Sequence, residues 1–151
     1  EATRGLAEDR HDLIDLMQPL RPGQLQLSLD CQPGNATFDR KLMYVATRNL
    51  LLNAFKYAGS QVHMTVSLDS GQLHIAVEDD GPGIPAAERE RIFEPFQRLD
   101  RSRDRATGGH GLGLSFVRLI ALHHGGHAHA GVASLGGARM AITLPQHPAA
   151  N

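Results

Sequence analysis

Apolar residues recur along this chain in two rhythms, one helical and one of strands, and the switches between them lay out most of a fold. Leu13, Leu16, Met17 and Leu20 fall at helical spacing ahead of the breaker Pro22-Gly23, so a first helix is expected over about residues 7 to 20. Leu25, Leu27, Leu29 and Cys31 alternate as a strand, and Gln32-Pro33-Gly34-Asn35 reads as a turn. Asp39 is placed to N-cap a long helix running to Ala58, with Gly59 offering a left-handed residue past its end. Val62, Met64, Val66 and Leu68 alternate, Asp69-Ser70-Gly71 turns, and Leu73, Ile75 and Val77 alternate back as the second arm of a β-hairpin. A short helix is expected over 86–93, and the stretch 96–109, with four arginines, two glycines and little apolar content, reads as a mobile loop. From Gly111 a further helix runs through Leu112, Phe116, Leu119, Ile120 and His123 to Gly125-Gly126. Two closing strands, His127–Val132 and Arg139–Leu144, flank Ser134-Leu135-Gly136-Gly137.

Three polar features stand out against this pattern. The long helix has Leu42, Val45, Ala46, Leu50, Leu51, Leu52, Ala54 and Phe55 around most of its circumference, so burial on several sides is expected. Asn49, Asn53 and Lys56 nevertheless share one stripe at i, i+4 and i+7. Polar groups buried there without partners would cost about 1–3 kcal/mol each. The stripe either meets a polar ligand or faces solvent. An amide oxygen such as that of Asn53 is an adequate single anchor for Mg²⁺, and Lys56 can meet a phosphate as a point charge.

The second feature is Asp79, which continues the parity of Leu73, Ile75 and Val77 and so starts on the core side of its strand; Asp80 faces the other way unless the following Gly81-Pro82-Gly83 reorients it. A carboxylate held among apolar side chains can accept from an exocyclic amino group and thereby tell adenine from guanine. The plainer alternative is a strand-end Asp that starts a tight turn. The third feature is Gly109-His110-Gly111-Leu112-Gly113-Leu114, where side-chain-free backbone opens a helix. Such a helix start suits phosphate, and it equally suits a hinge before a core helix. It is not a Walker A loop, because no Gly-Lys-Ser/Thr follows.

Composition narrows the picture modestly. The 151 residues fit one domain over 1–151, and 41% hydrophobic with 21% charged residues is ordinary for a soluble globular protein. A formal net charge of -1 argues against nucleic acid as a partner. The lone Cys31 rules out an intrachain disulfide and suits a reducing compartment. No run approaches the roughly 18 apolar residues of a spanning helix. The chain opens at Glu1 without an initiator Met, as a piece of something longer would. His123, His124, His127 and His129 look metal-like as a cluster, but the helix ends between the two pairs and no Cys or carboxylate spacing supports a metal there.

Taken together, the motifs resemble a known family, the ATP-binding catalytic domain of bacterial sensor histidine kinases within the gyrase, Hsp90, histidine kinase and MutL superfamily. Asn49 to Tyr57 is similar to its N box, Asp79-Asp80-Gly81-Pro82-Gly83-Ile84 to its first glycine box, Ile92-Phe93-Glu94-Pro95-Phe96 to its F box, and Gly109 to Leu114 to its second glycine box. Gly136-Gly137 resembles the weaker third one.

The resemblance implies a two-layer α/β sandwich of the Bergerat type: a mixed sheet of about five strands packed on three helices, with a flexible ATP lid over Gln97 to His110. ATP and Mg²⁺ are the implied cofactors. Asp79 would hold the adenine, Asn53 the metal, and Asn49 and Lys56 the phosphates, as the catalytic pair. Tyr57, Gly81, Gly83, Ile84, Gly109, His110, Gly111, Leu112, Gly113 and Leu114 would complete the nucleotide site, with Arg98 and Arg103 as weaker candidates for the γ-phosphate.

Asn49 stands where hydrolysing members of the superfamily have a Glu, and an amide cannot act as the general base that activates water. That favours transfer to another nucleophile over hydrolysis, while a regulatory binding module without turnover stays as an alternative. The acceptor histidine lies on a separate dimerisation domain in the family, and His11-Asp12-Leu13-Ile14-Asp15 lacks its Arg-Thr-Pro setting. The fragment alone is therefore expected to bind ATP without phosphorylating itself. Implied partners are that domain, a homodimeric full-length kinase of the inner membrane with this part in the cytoplasm, and a response regulator. The wording Glu94 to Asp100 and Ser102 to Arg105 is most similar to kinases paired with OmpR-type regulators. Two departures are Asp80, where Asn is common, and His110, where a small hydroxyl residue often sits.

Overall fold

In the computed structural model the described residues are 2–5 (backbone only), 15, 17–95 and 113–146. The long helix, α1, spans Arg40–Tyr57 and starts as expected, with the Asp39 carboxylate accepting from the Leu42 backbone N–H at 3.0 Å. That bond, the largest influence on Asp39, holds its carboxyl below the usual range. Its other end differs from expectation. Ala58 is extended (φ -62, ψ 146) and Gly59 is not left-handed, because the Gly59 N–H is taken by the Asp80 side chain at 2.8 Å instead of closing back on the helix.

Five strands form one mixed sheet: β2 (Gln26–Cys31), β4 (Gln61–Asp69), β5 (Gln72–Asp79), β6 (His127–Val132) and β7 (Ala138–Pro145), in the order β2-β4-β5-β7-β6. Only β2 and β4 run parallel, and α1 supplies the crossover such a pair needs. The β4–β5 hairpin turns at Ser70 (φ 52) and Gly71 (φ 75), the two positive φ angles of a type I′ turn, which matches the strand twist. β1 (Ala2–Gly5) and β3 (Asn35–Phe38) form a second, two-stranded antiparallel sheet that the sequence pattern did not show. Asn35 thus opens a strand where the turn was expected to end. It is a four-residue strand with too few alternations to read, fixed by pairing with a distant segment.

Val62, Met64, Val66, Leu73, Ile75, Val77, Met140, Ile142 and Leu144 point from one sheet face into the core. They meet Met43, Ala46, Leu50, Leu51, Ala54 and Phe55 of α1, and Val117, Ile120 and Ala121 of the second helix, α2 (Gly113–His123). Burial of each large side chain contributes about 1.5–3 kcal/mol. Val45, expected inside, is 40% exposed, because α1 packs on the sheet and α2 but leaves an outer strip open. Residues 86–93 form two short 3₁₀ turns, Ala86–Glu88 and Arg91–Phe93, in place of one helix. Of the first expected helix, Asp15 and Met17 are helical and Gln18–Leu20 is a 3₁₀ turn, while 7–14 and 16 lie outside the described residues. His124 joins the two helices: its Nε2 accepts from the Asp39 N–H at 2.9 Å and its Nδ1 donates to the Ile120 carbonyl at 2.8 Å, which assigns the neutral Nδ1–H tautomer.

The four clustered histidines separate in space. His123 and His124 close α2, while His127 and His129 sit on β6, on the sheet face away from the helices. There His74 Nδ1 and His129 Nε2 both lie on the Thr143 hydroxyl, at 3.2 and 3.3 Å, with the His127 ring 5.2 Å from that of His129. Among the described residues no three ligating side chains are grouped to hold a metal ion. Burial first, and then His127, Arg139 and His74, push the His129 pKa below its ordinary 6.5. The unfolded chain therefore takes up its proton at higher pH than the native state does, and stability falls as pH drops through the range below 6.5. Urea midpoints measured from pH 7.5 to 5.5 should fall less steeply for His129→Gln than for the parent chain.

Candidate functional site

Asp79 is 1% exposed at the end of β5, on the core side that strand parity assigned to it. Its Oδ1 accepts from the Gly81 N–H at 2.8 Å and from the Ala138 N–H at 3.2 Å, and its carbonyl accepts from the Gly137 N–H at 3.1 Å. Among the described residues Oδ2 takes no hydrogen bond, so one oxygen of a buried carboxylate is available to a ligand. Asp79 therefore both starts the turn and offers an acceptor, and the two sequence readings coexist.

Close packing fixes this geometry. A Cβ on Gly81 would lie 2.2 Å from the Tyr57 carbonyl oxygen, so the turn rests directly on the last residue of α1. A Cβ on Gly137 would lie 2.3 Å from Asp79 Oδ1, 2.4 Å from the Asp79 carbonyl oxygen and 2.6 Å from the Gly81 nitrogen. Three segments distant in sequence thus meet at one carboxylate. The role of Gly137 was missed from the sequence; the Gly-Gly before the last strand was its only signal.

Along α1, Asn49, Asn53, Lys56 and Tyr57 are all half-buried, at the border between core and surface. Among the described residues the side chains of Asn49 and Asn53 form no hydrogen bond, while Lys56 Nζ lies 5.5 Å from the centre of the Tyr57 ring. At the opening of α2, a Cβ on Gly113 would come within 3.3 Å of Asn49 Oδ1, which brings the second glycine motif against the stripe. The structure therefore gathers Asn49 with Gly113, and Tyr57 with Gly81 and Asp79. Gly83 is left-handed (φ 78) beside Gly137, whereas Ile84, 6% exposed, and half-buried Leu114 pack on the core. Gly109, His110, Gly111, Leu112, Arg98, Arg103 and the Gln97–His110 stretch lie outside the described residues.

Asp80 turns away from Asp79. Its Oδ1 accepts from the backbone N–H groups of Gly59 (2.8 Å), Ser60 (3.0 Å) and Gln61 (3.1 Å), and its Oδ2 from the Ser60 hydroxyl (2.8 Å) and N–H (3.2 Å). These donors, Ser60 first, hold its carboxyl far below the usual carboxylate range. On α2, Phe116 (47%), Leu119 (60%) and Leu122 (53%) leave a large part of their apolar surface in solvent, at i, i+3 and i+6. Glu78, on the outer face, pairs with Arg139 at 3.4 Å and accepts from the Ser134 hydroxyl at 2.8 Å, which ties down the 133–137 loop.

A mixed sheet on helices, with a buried strand-end carboxylate beside the end of a helix that carries a polar stripe, and a glycine-led second helix, is the architecture of a nucleotide-binding class of fold. Residues 38–148 match the histidine kinase-, DNA gyrase B-, and HSP90-like ATPase family, and the chain belongs to it. It is 49% identical over 110 residues to the sensor protein RstB of Escherichia coli strain K12, an alignment covering 73% of this chain and 25% of RstB. The chain thus spans about a quarter of that relative's length. Among solved structures, the mycobacterial sensor histidine kinase MprB superposes with a TM-score of 0.81 at 27% identity, over 97% of this chain and 98% of that one. The ATP binding domain of PrrB from Mycobacterium tuberculosis gives a TM-score of 0.73 at 26% identity, over 97% and 98%. The expected two-layer ATP-binding fold is the one observed.

Proposed function

We propose that this chain, as one catalytic domain over 1–151, holds Mg-ATP and presents its γ-phosphoryl group to a histidine on the dimerisation domain of a two-component sensor kinase. The observation that carries the reading is the buried carboxylate of Asp79, whose Oδ2 takes no hydrogen bond among the described residues, in a turn that rests on the last residue of α1. Asp79 Oδ2 accepts from the exocyclic amino group of adenine, which selects ATP over GTP. Lys56 and Asn49 meet the phosphates, Tyr57 lies beside the nucleotide, and the backbone at Gly111 to Leu114 receives the triphosphate.

The Mg²⁺ fits the donor set present: Asn53 offers a neutral amide oxygen, and the remaining positions suit phosphate oxygens and water. When bound, the ion neutralises charge on the transferring group. No carboxylate stands at Asn49 to deprotonate water, so the bound phosphoryl group is kept for a histidine nucleophile. The names of the relatives support this reading, as does the apolar strip Phe116, Leu119 and Leu122, which suits a helical partner domain in a homodimeric, membrane-anchored kinase. The phosphohistidine is then drawn off by a response regulator aspartate, of OmpR type by the wording of residues 94–105.

Mixing the chain with a matching dimerisation domain and γ-labelled ATP should give acid-labile, base-stable phosphohistidine on that domain and none on the chain alone. Leu119→Glu with Leu122→Glu should cut the transfer rate by roughly tenfold or more while leaving the Kd for ATP unchanged. Steady phosphate release without a partner, or no phosphohistidine from the intact pair, would overturn the assignment.

A further inference from the structure

The Asp79 pocket is assembled across a junction that nothing covalent holds together: the end of α1 on one side and the end of β5 on the other. Gly81 already touches Tyr57 there, and Asn53 and Asn49 lie roughly one and two turns of α1 back from the same junction. Asp80 bridges it with a single side chain that gathers three consecutive backbone N–H groups and one hydroxyl. Those N–H groups belong to Gly59, Ser60 and Gln61, the segment linking α1 to β4, and the Asp80 N–H returns a bond to the Gln61 carbonyl at 3.3 Å. The bridge is therefore reciprocal at Gln61.

We propose that Asp80 is a positioning residue for nucleotide: it sets the distance and angle between the Asn53–Tyr57 end of α1 and the Asp79 carboxylate, without touching the ligand. The inference rests on Asp79 and the α1 stripe binding ATP, and it adds a determinant of affinity that faces away from them. The chemistry explains why a second carboxylate beside Asp79 is tolerated. Its charge is consumed by donors on the far side of the chain, so it adds little repulsion toward a triphosphate.

The oxygens divide the work unevenly, which makes the role testable. Oδ1 alone takes all three N–H groups, and Oδ2 takes the Ser60 hydroxyl and a longer second bond from the Ser60 N–H. Asp80→Asn keeps the Oδ1 acceptor, and its amide can donate to a Ser60 hydroxyl that has turned to accept. Asp80→Ala removes both oxygens and frees the junction.

The test is ATP titration by calorimetry at a temperature well below melting, where a stability loss alone leaves Kd unmoved. Asp80→Ala is expected to weaken ATP roughly tenfold, as a small misplacement across a binding site does, and Asp80→Asn to return within about threefold of the parent. If Asp80→Ala folds poorly, Ser60→Ala serves, with a loss of about two- to threefold and faster hydrogen exchange at the Gly59 to Gln61 amides. An unchanged Kd for Asp80→Ala, or equal losses for Asp80→Asn and Asp80→Ala, overturns the positioning role. Asp79→Asn measured alongside separates the readings: unimpaired binding there refutes the base-reading carboxylate, whereas impaired binding there beside an unmoved Asp80→Ala refutes the role of Asp80 alone.

Discussion

Asp79→Asn is expected to weaken ATP binding roughly 100-fold, about 2.7 kcal/mol, while changing thermal stability little. The asymmetry follows from how the carboxylate is used. Oδ1 is committed to the N–H groups of Gly81 and Ala138, and Oδ2 is left for the ligand. Asn can satisfy both internal donors with its one oxygen, so the turn and the start of β7 hold. Its NH₂ group then faces the adenine amino group, donor against donor, and a charge-assisted bond worth about 1.5–3 kcal/mol is replaced by a mispair. Asp79→Ala would instead orphan two buried N–H groups and cost stability as well. Calorimetric titration with ATP and GTP checks the point: Asp79→Asn should also lose the preference for ATP. A Kd within about threefold of the parent would remove Asp79 from the site.

Gly137→Ala is expected to damage the same pocket by a different route, through stability. Its methyl group would sit 2.3 Å from Asp79 Oδ1, 2.4 Å from the Asp79 carbonyl oxygen and 2.6 Å from the Gly81 nitrogen. Two of these atoms are backbone and the third is the tip of a buried carboxylate held by the Gly81 and Ala138 N–H groups, so the β5 end and the 133–137 loop must separate. Overpacking at such a place costs about 3 kcal/mol, which for a chain of this size is a fall in Tm of roughly 6–12 °C. ATP affinity should fall too, since the separation moves Asp79. The neighbouring Gly136→Ala is the control. Gly136 has φ 99 with open space around it, so the cost there is backbone strain of about 1–2 kcal/mol and Asp79 is not pushed. Thermal melts of both variants, with and without ATP, check the contrast; a Gly137→Ala protein that melts and binds like the parent contradicts it.

What could be read from the sequence was what repeats locally. Seven alternating positions and a Ser-Gly turn specify the β4–β5 hairpin, and its parity alone put Asp79 inside and Asp80 outside. The N-cap at Asp39 and the stripe of Asn49, Asn53 and Lys56 are likewise properties of one helix. What could not be read depends on segments far apart. β3 exists because β1 pairs with it, Gly137 matters because Asp79 lies against it, and Gly59 forgoes the left-handed cap because Asp80 claims its N–H. Val45 shows the same limit inside a helix: its hydrophobicity matched the core, but packing left it on the outer strip. Asp80, marked in the sequence only by its strand parity and by its departure from the family's usual Asn, ties the segment after α1 to the end of β5.

Because the Asp79 pocket is made jointly by the end of α1, the end of β5 and the loop before β7, no fragment of the chain contains it. With nucleotide bound at the proposed site, only the fully assembled fold would have affinity for it, and ligand would draw the folding equilibrium toward the native side by RT ln(1 + [L]/Kd), about 2.7 kcal/mol at a hundredfold excess over Kd. Saturating ATP is therefore expected to raise the melting temperature of the domain, and the more so the higher its concentration above Kd.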